Sequence, residues 1–199
     1  MEIILASQSP RRRALLEQMG LGPFRVAAPR IDEGAVSAHS PQALVQALSR
    51  RKAEAIRRQE GPGCLIIAAD TVVCLDGIIL GKPADREEAM DMLSTLSGRC
   101  HQVYTGLTVL RGDEAITTCE TTSVRFRPLE PAEIQAYIAT GEPMDKAGSY
   151  GIQGLGGLFV EGIEGDYYNV VGLPICRLGQ MLRRFGLNCL GRHSRYLEG

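Results

Sequence analysis

The sequence predicts an α/β fold with a mixed sheet flanked by helices, and three observations carry that prediction. Short apolar runs that read as strands alternate with amphipathic segments that read as helices. Two hairpin turns, Asp76-Gly77 and Arg111-Gly112-Asp113-Glu114, are inserted into the alternation, so antiparallel pairs join the sheet. The chain has 199 residues, 44% of them hydrophobic, which suits a single domain of two lobes over residues 1–190.

Residues 2–6 form a continuous apolar run, read as a buried strand. Ser9 is placed to N-cap the helix that follows. Pro10 fits its first position and Gly20 its C′ position, while Leu15, Leu16 and Met19 give it an apolar face. A strand therefore feeds a polar loop that opens a helix, where free N–H groups and the positive dipole end lie beside Ser7, Ser9 and three arginines. That geometry suits phosphate. The plain alternative is an ordinary cap with solvated arginines. Consecutive residues point in different directions around a helix, so Arg11, Arg12 and Arg13 do not all serve one site.

Residues 24–28 read as a strand, followed by Asp32 and Glu33 in a loop, where acids usually face solvent. Ser40 and Pro41 repeat the capping signature, and a helix runs to about residue 58, before Gly61. Leu44, Ala47, Leu48 and Ile56 read as its buried stripe, with Lys52 projecting from the edge of that face. Residues 64–75 are a strand interrupted by Asp70, and the hairpin at Asp76-Gly77 returns through residues 78–80 to Lys82, towards Asp70. A carboxylate inside an apolar strand is expensive unless paired or metal-bound, which makes Asp70 the strongest functional candidate. An ion pair with Lys82 is the structural alternative. Residues 85–97 read as a helix, 102–110 and 116–126 as a strand pair, 131–139 as a helix and 174–185 as a closing helix. Residues 191–199, with little apolar periodicity, are expected to fray.

Residues 141–174 hold nine glycines in 34 positions, together with Lys146, Gln153 and Asp166. Glycine at this density marks turns or close backbone approach, and a ligand and tight bends explain it equally well. The net charge is −1, from 22 basic and 23 acidic residues, so no global field draws the protein to nucleic acid or membrane and any phosphate site is local. No apolar run approaches the roughly 20 residues of a membrane span. The opening MEIILASQSPRRR lacks the basic-then-apolar order of a signal peptide, and a cytoplasmic location is expected. Six cysteines without metal-ligand spacing read as buried free thiols, and His39, His101 and His193 as surface or loop residues.

Four signatures, LASQSPRRRALLEQMG, AADTVV with GKP, LSGR, and the glycine-rich stretch ending in VVGLP, together resemble the Maf family of nucleotide pyrophosphatases from the first strand to the last helix. The resemblance implies an elongated two-lobed fold shared with inosine triphosphate pyrophosphatases, with a cleft between the lobes. It implies cleavage of a nucleoside triphosphate to monophosphate and pyrophosphate with a divalent cation, Mg²⁺, Mn²⁺ or Co²⁺. Asp70 matches the general base, Ser7 and Arg12 the phosphate loop, Lys52 and Lys82 the lysines facing the triphosphate, and Glu33 an acid that assists the metal alongside Asp70. Arg11, Thr71 and Gln153 match the positions that mark the dTTP and UTP branch, whereas a sister branch resembling a 7-methyl-GTP hydrolase has Trp in place of Arg11. A homodimer is a further expectation from the family. A division regulator acting through protein contacts is the alternative from another class, since the family takes its name from inhibition of septum formation.

The chemistry fits those assignments. Lys52, Lys82 and Arg12 supply fixed positive charge for a phosphate chain. An ordinary aspartate, with a pKa of about 3.9, is a weak base for water, so a metal is expected to share the work. Gln153 and Thr71 offer both donors and acceptors to a pyrimidine edge.

Overall fold

The computed structural model describes residues 1–190; the fraying expected of residues 191–199 lies outside the described residues. Along the chain run β1 (Ile3–Leu5), α1 (Pro10–Gln18), β2 (Arg25–Val26), α2 (Pro41–Glu60), β3 (Leu65–Leu75), β4 (Ile78–Leu80) and α3 (Arg86–Leu96). They are followed by β5 (Cys100–Arg111), β6 (Glu114–Phe126), α4 (Pro131–Ala139), β7 (Val160–Glu164), α5 (Tyr167–Val171) and α6 (Ile175–Arg184). Short 3-10 turns fill the interval between α4 and β7. The strands form a mixed sheet in the order β2-β1-β3-β5-β6-β7, with β4 paired to β3. β1 runs parallel to β2 and β3, whereas β3–β4 and β6–β7 are antiparallel.

Local chemistry explains the element ends. Ser9 and Ser40 accept hydrogen bonds from the N–H groups of Arg12 and Ala43, each followed by a proline, and Asp85 accepts from Glu88 N–H. At the β3–β4 hairpin Asp76 and Gly77 both take positive φ, 50° and 83°, the twist that suits a two-residue turn. The strand expected over residues 24–28 shrinks to Arg25–Val26, which pairs with β1 at the edge of the sheet among the described residues.

Two compact units share these elements. The first comprises Met1–Asp70, Thr105–Glu120 and the described part of Gly172–Gly199; the second comprises Thr71–Tyr104 and Thr121–Val171. The first has an apolar cluster that includes Ile4, Ala6, Ala53, Ile56, Ile66, Ala68 and Leu110. The second centres on Leu93, Phe126, Tyr137, Tyr150 and Phe159. Phe126 meets Tyr150 edge-on at 4.8 Å and Phe159 at 5.9 Å, the geometry that adds to area burial for aromatic pairs.

Three expectations about single residues change. The buried face of α2 is Val45, Leu48, Ser49, Lys52, Ala53, Ala55 and Ile56, with Leu44 and Ala47 only half-buried. His101 is no surface residue: it is fully buried in β5, its ring edge-on to Phe126 and Tyr150, with Nε2 2.9 Å from the Tyr150 hydroxyl. Of the six cysteines, all free thiols, Cys64 and Cys74 are buried, while Cys100 and Cys176 are exposed. Among the described residues no helix is long and apolar enough to cross a membrane.

Candidate active site

The first unit builds its site from the loop after β1. The Ser7 hydroxyl, almost fully buried, accepts the Ser9 N–H at 3.2 Å and a guanidinium N–H of Arg12 at 3.3 Å. Arg12 Nε donates to the Gly172 carbonyl at 2.8 Å, so both ends of its fork are held. Burial lowers the pKa of this guanidinium. Asp70 and Glu33 oppose the shift, and Arg11 reinforces it. Arg13 leaves the site altogether and pairs with Glu17 at 2.9 Å on the exposed flank of α1. The helix geometry thus divides the three arginines, as their angular spacing requires.

The second component comes from α2 and β3. Lys52 Nζ bridges two carboxylates: it contacts Asp70 Oδ1 in a close ion pair and Glu33 Oε1 at 2.7 Å. The Lys52 and Asp70 side chains are each only 11% exposed, and that of Glu33 is 59% exposed. Asp32, the neighbouring acid, caps its own turn by accepting the Gly34 N–H at 3.0 Å, which leaves Glu33 as the acid that reaches Lys52. The ion-pair partner seen on Asp70 is therefore Lys52, where the structural alternative had named Lys82. The β3–β4 ladder runs from Leu75↔Ile78 to Val73↔Leu80, and Lys82 lies exposed beyond it.

Lys52 reaches this position because of how α2 seats on the sheet. Val45, Ser49 and Lys52 share one helix face at i, i+4 and i+7. A Cβ added to Gly106 in β5 would fall 2.0 Å from the Val45 carbonyl oxygen, so helix and strand backbones touch there. One turn on, Ser49 Oγ lies 2.9 Å from Thr108 Oγ1, which in turn lies 3.0 Å from Thr117 Oγ1. One further turn brings the ammonium to Asp70. Sequence reasoning passed over Gly106, yet a glycine inside a strand is itself a signal of close backbone approach.

Asp70 and Glu33 are the residues that could hold a metal. They offer two carboxylates, and no group of three metal-ligating side chains exists among the described residues. A closed protein cage is therefore not built. The pair fits a hard cation such as Mg²⁺, which takes one or two carboxylates and draws its other ligands from phosphate and water.

The remaining sequence-predicted residues fall differently. Arg11 is half-buried on α1 in the first unit, whereas Thr71, Lys82 and Gln153 belong to the second. Within the second unit the glycine-rich stretch is tied to the hairpin that carries Lys82. Gly148 N–H donates to the Gly81 carbonyl at 3.0 Å, and a Cβ at Gly148 would lie 2.8 Å from Val73 in β3. At this position glycine serves the chain's approach to itself. Gln153 is exposed on a turn closed by Gly154 N–H donating to the Gly151 carbonyl at 3.1 Å. Lys146 is spent internally, on the Glu142 carbonyl and Asp145 at 2.6 Å each.

Comparison with known proteins places these residues in a family. The model of the Maf-like protein family matches residues 2–185. A protein named dTTP/UTP pyrophosphatase from Symbiobacterium thermophilum is 56% identical over 185 residues, covering 93% of this chain and 94% of that one. Proteins of the same name from Bacillus velezensis and Moorella thermoacetica are each 50% identical, over 93% and 96% of this chain and 97% and 98% of theirs. A looser likeness, to the Ham1 protein of Staphylococcus aureus, has a TM-score of 0.44 at 16% identity over 63% of this chain and 72% of that one, and carries no residue assignment. With a family model running from just before β1 to just past α6, and relatives this similar over nearly their whole length, the chain belongs to the Maf-like protein family.

Proposed function

We propose that this protein hydrolyses dTTP and UTP to the nucleoside monophosphate and pyrophosphate, with Asp70 as general base. The observation that carries the reading is the buried Asp70–Lys52 pair, joined by the exposed Glu33, on which the charge of Arg12 also acts. A desolvated group of this kind does little for stability compared with an apolar replacement, which favours a chemical role. The names of the close relatives support the substrate class.

In this reading a water oxygen attacks the α-phosphorus, the bond from that phosphorus to the α–β bridging oxygen breaks, and pyrophosphate departs with the bond's electron pair. The Asp70 carboxylate orients the water and accepts its proton. Lys52 and Arg12 neutralise phosphate oxygens from fixed positions, and the Ser7 hydroxyl and the N–H groups at the start of α1 add donors. Lys82 adds a further cation from the β3–β4 hairpin. A divalent cation, held by Asp70 and Glu33, would contribute Lewis-acid neutralisation of the phosphate chain. Arg11, Thr71 and Gln153 select the pyrimidine, the neutral amide of Gln153 matching both a carbonyl and an imide N–H.

The test is pyrophosphate release from dTTP, UTP, GTP and 7-methyl-GTP with Mg²⁺, Mn²⁺ or Co²⁺. The pyrimidine nucleotides are expected to lead. Asp70→Asn should lower kcat by about 10²–10⁴-fold, the usual contribution of a general base, while dTTP still binds. Normal turnover in that variant removes Asp70 as the base, and a lead by 7-methyl-GTP removes the pyrimidine assignment.

A further inference from the structure

Glu142 is a half-buried carboxylate that the proposed chemistry does not use, and its surroundings are specific. Oε1 accepts the Tyr137 hydroxyl at 2.9 Å and the Gly156 N–H at 3.1 Å, and Oε2 accepts the Leu155 N–H at 3.0 Å. Tyr137 uses the same hydroxyl oxygen to accept the Gly151 N–H at 3.1 Å. The two side chains therefore grip backbone N–H groups at residues 151, 155 and 156, on both sides of Gln153. Glycine lets the loop come this close: a Cβ at Gly154 would lie 2.5 Å from the Glu142 carboxylate oxygens, and one at Gly156 would lie 2.8 Å from the Tyr137 hydroxyl. Lys146 packs its methylenes against Gly151 and donates to the Glu142 carbonyl, closing the arrangement from behind.

Charge keeps the hydrogen bonds pointing one way. Burial raises the Glu142 pKa, but the Leu155 and Gly156 N–H groups and the Tyr137 hydroxyl outweigh it and leave the carboxyl lowered. Burial also raises the Tyr137 pKa, so its hydroxyl keeps its proton to donate. Side-chain anchoring on three backbone donors fixes the turn that presents Gln153 before any ligand arrives. A preset loop spends less ordering entropy on binding than a floppy one.

We infer that Glu142, with Tyr137, is a positioning residue for base selection: it holds the Gln153 turn in the shape that meets a pyrimidine. The inference rests on the proposed reading that Gln153 contacts the base. Glu142→Gln keeps the side chain's size but turns one acceptor into a donor facing a backbone N–H. It should raise the KM for dTTP about tenfold with kcat changed by about twofold at most, the pattern of lost binding. The preference for dTTP over GTP in kcat/KM should fall by a similar factor. Tyr137→Phe, which releases only the Gly151 link and the hydroxyl on Glu142, should shift the preference the same way by less. In Glu142→Gln combined with Gln153→Ala, the preference should match that of Gln153→Ala alone, because the anchor acts through that side chain.

The outcomes separate. If Gln153→Ala shifts the preference while Glu142→Gln lowers both substrates equally or changes neither, the anchor is purely structural and the inference falls. If Gln153→Ala itself leaves the preference in place, the reading of Gln153 falls and takes the anchor's role with it. Should Glu142→Gln not fold, amide exchange in the nucleotide-free wild-type protein decides. Protected N–H groups at 151, 155 and 156 support a preset turn, and exchange at the rate of an unstructured peptide overturns it.

Discussion

His101 is the buried titratable group with a direct consequence for stability. Burial lowers its pKa from the ordinary 6.5 to about 4. Between those values the unfolded chain binds a proton that the folded chain does not, so stability falls as pH drops from about 6.5 to about 4 and is untouched above that window. A shift of this size corresponds to about 3 kcal/mol at the acid end. Thermal unfolding of His101→Gln should lose less stability than wild type across that window; parallel curves would place the acid sensitivity elsewhere. The Lys52–Asp70 pair gives the second prediction at this scale. Lys52→Met strands a buried carboxylate and should cost about 3–5 kcal/mol, whereas Lys52→Met with Asp70→Asn should recover much of it. Equal denaturation midpoints for the single and double variants would contradict that. Asp70 was legible because a charge in an apolar strand is conspicuous. His101 was read as a surface or loop residue, although it alternates with buried Val103 and Thr105 on one face of β5, a period-of-two signal present in the sequence.

Elements were legible where their signals are local. Ser9-Pro10 and Ser40-Pro41 each mark a helix start within four residues and both caps are present, and the helix expected from residue 85 begins at Arg86 with Asp85 as its cap. The face of α2 was not, because apolar periodicity favours Leu44 and Ala47 while the seated face includes Ser49 and Lys52. That face is set by Gly106 and Thr108, more than fifty residues away, through a backbone contact and a hydroxyl pair that hydropathy does not register. Gly106→Ala drives a Cβ into the Val45 carbonyl, where the obstacle is backbone on both sides and cannot rotate away. Overpacking of this kind costs about 1–3 kcal/mol or more. Because Lys52 lies two turns along the same face, kcat for dTTP should fall with stability. A variant that shows the lower urea midpoint but full kcat would separate the seating of α2 from the placement of Lys52.

At the scale of the molecule, alternation of strands and helices was legible and two lobes were expected, but the places where the two units divide were not. Three of the four boundaries fall inside β3 after Asp70, inside β5 after Tyr104 and inside β6 after Glu120, where no linker, charge run or change of composition marks them, and the fourth follows α5 at Val171. The donor set has a consequence at this scale too. A structural metal site contributes directly to folding, but here Asp70 and Glu33 are already satisfied by Lys52, and the described residues offer no third ligand. Chelation should therefore abolish turnover while leaving the Tm of the nucleotide-free protein unchanged. Nucleotide changes the balance in the proposed reading, because its phosphates would add ligands to a cation held by Asp70 and Glu33. With an α,β-methylene analogue of dTTP to prevent consumption, the analogue and Mg²⁺ at about 100 times the dissociation constant should add about 2.7 kcal/mol, or about 5–10 °C in Tm for a chain of this size. EDTA should remove that increment and nothing more. A fall in the Tm of the nucleotide-free protein on chelation would mean that a cation helps hold the fold, and that Lys52 is not what keeps the two carboxylates together.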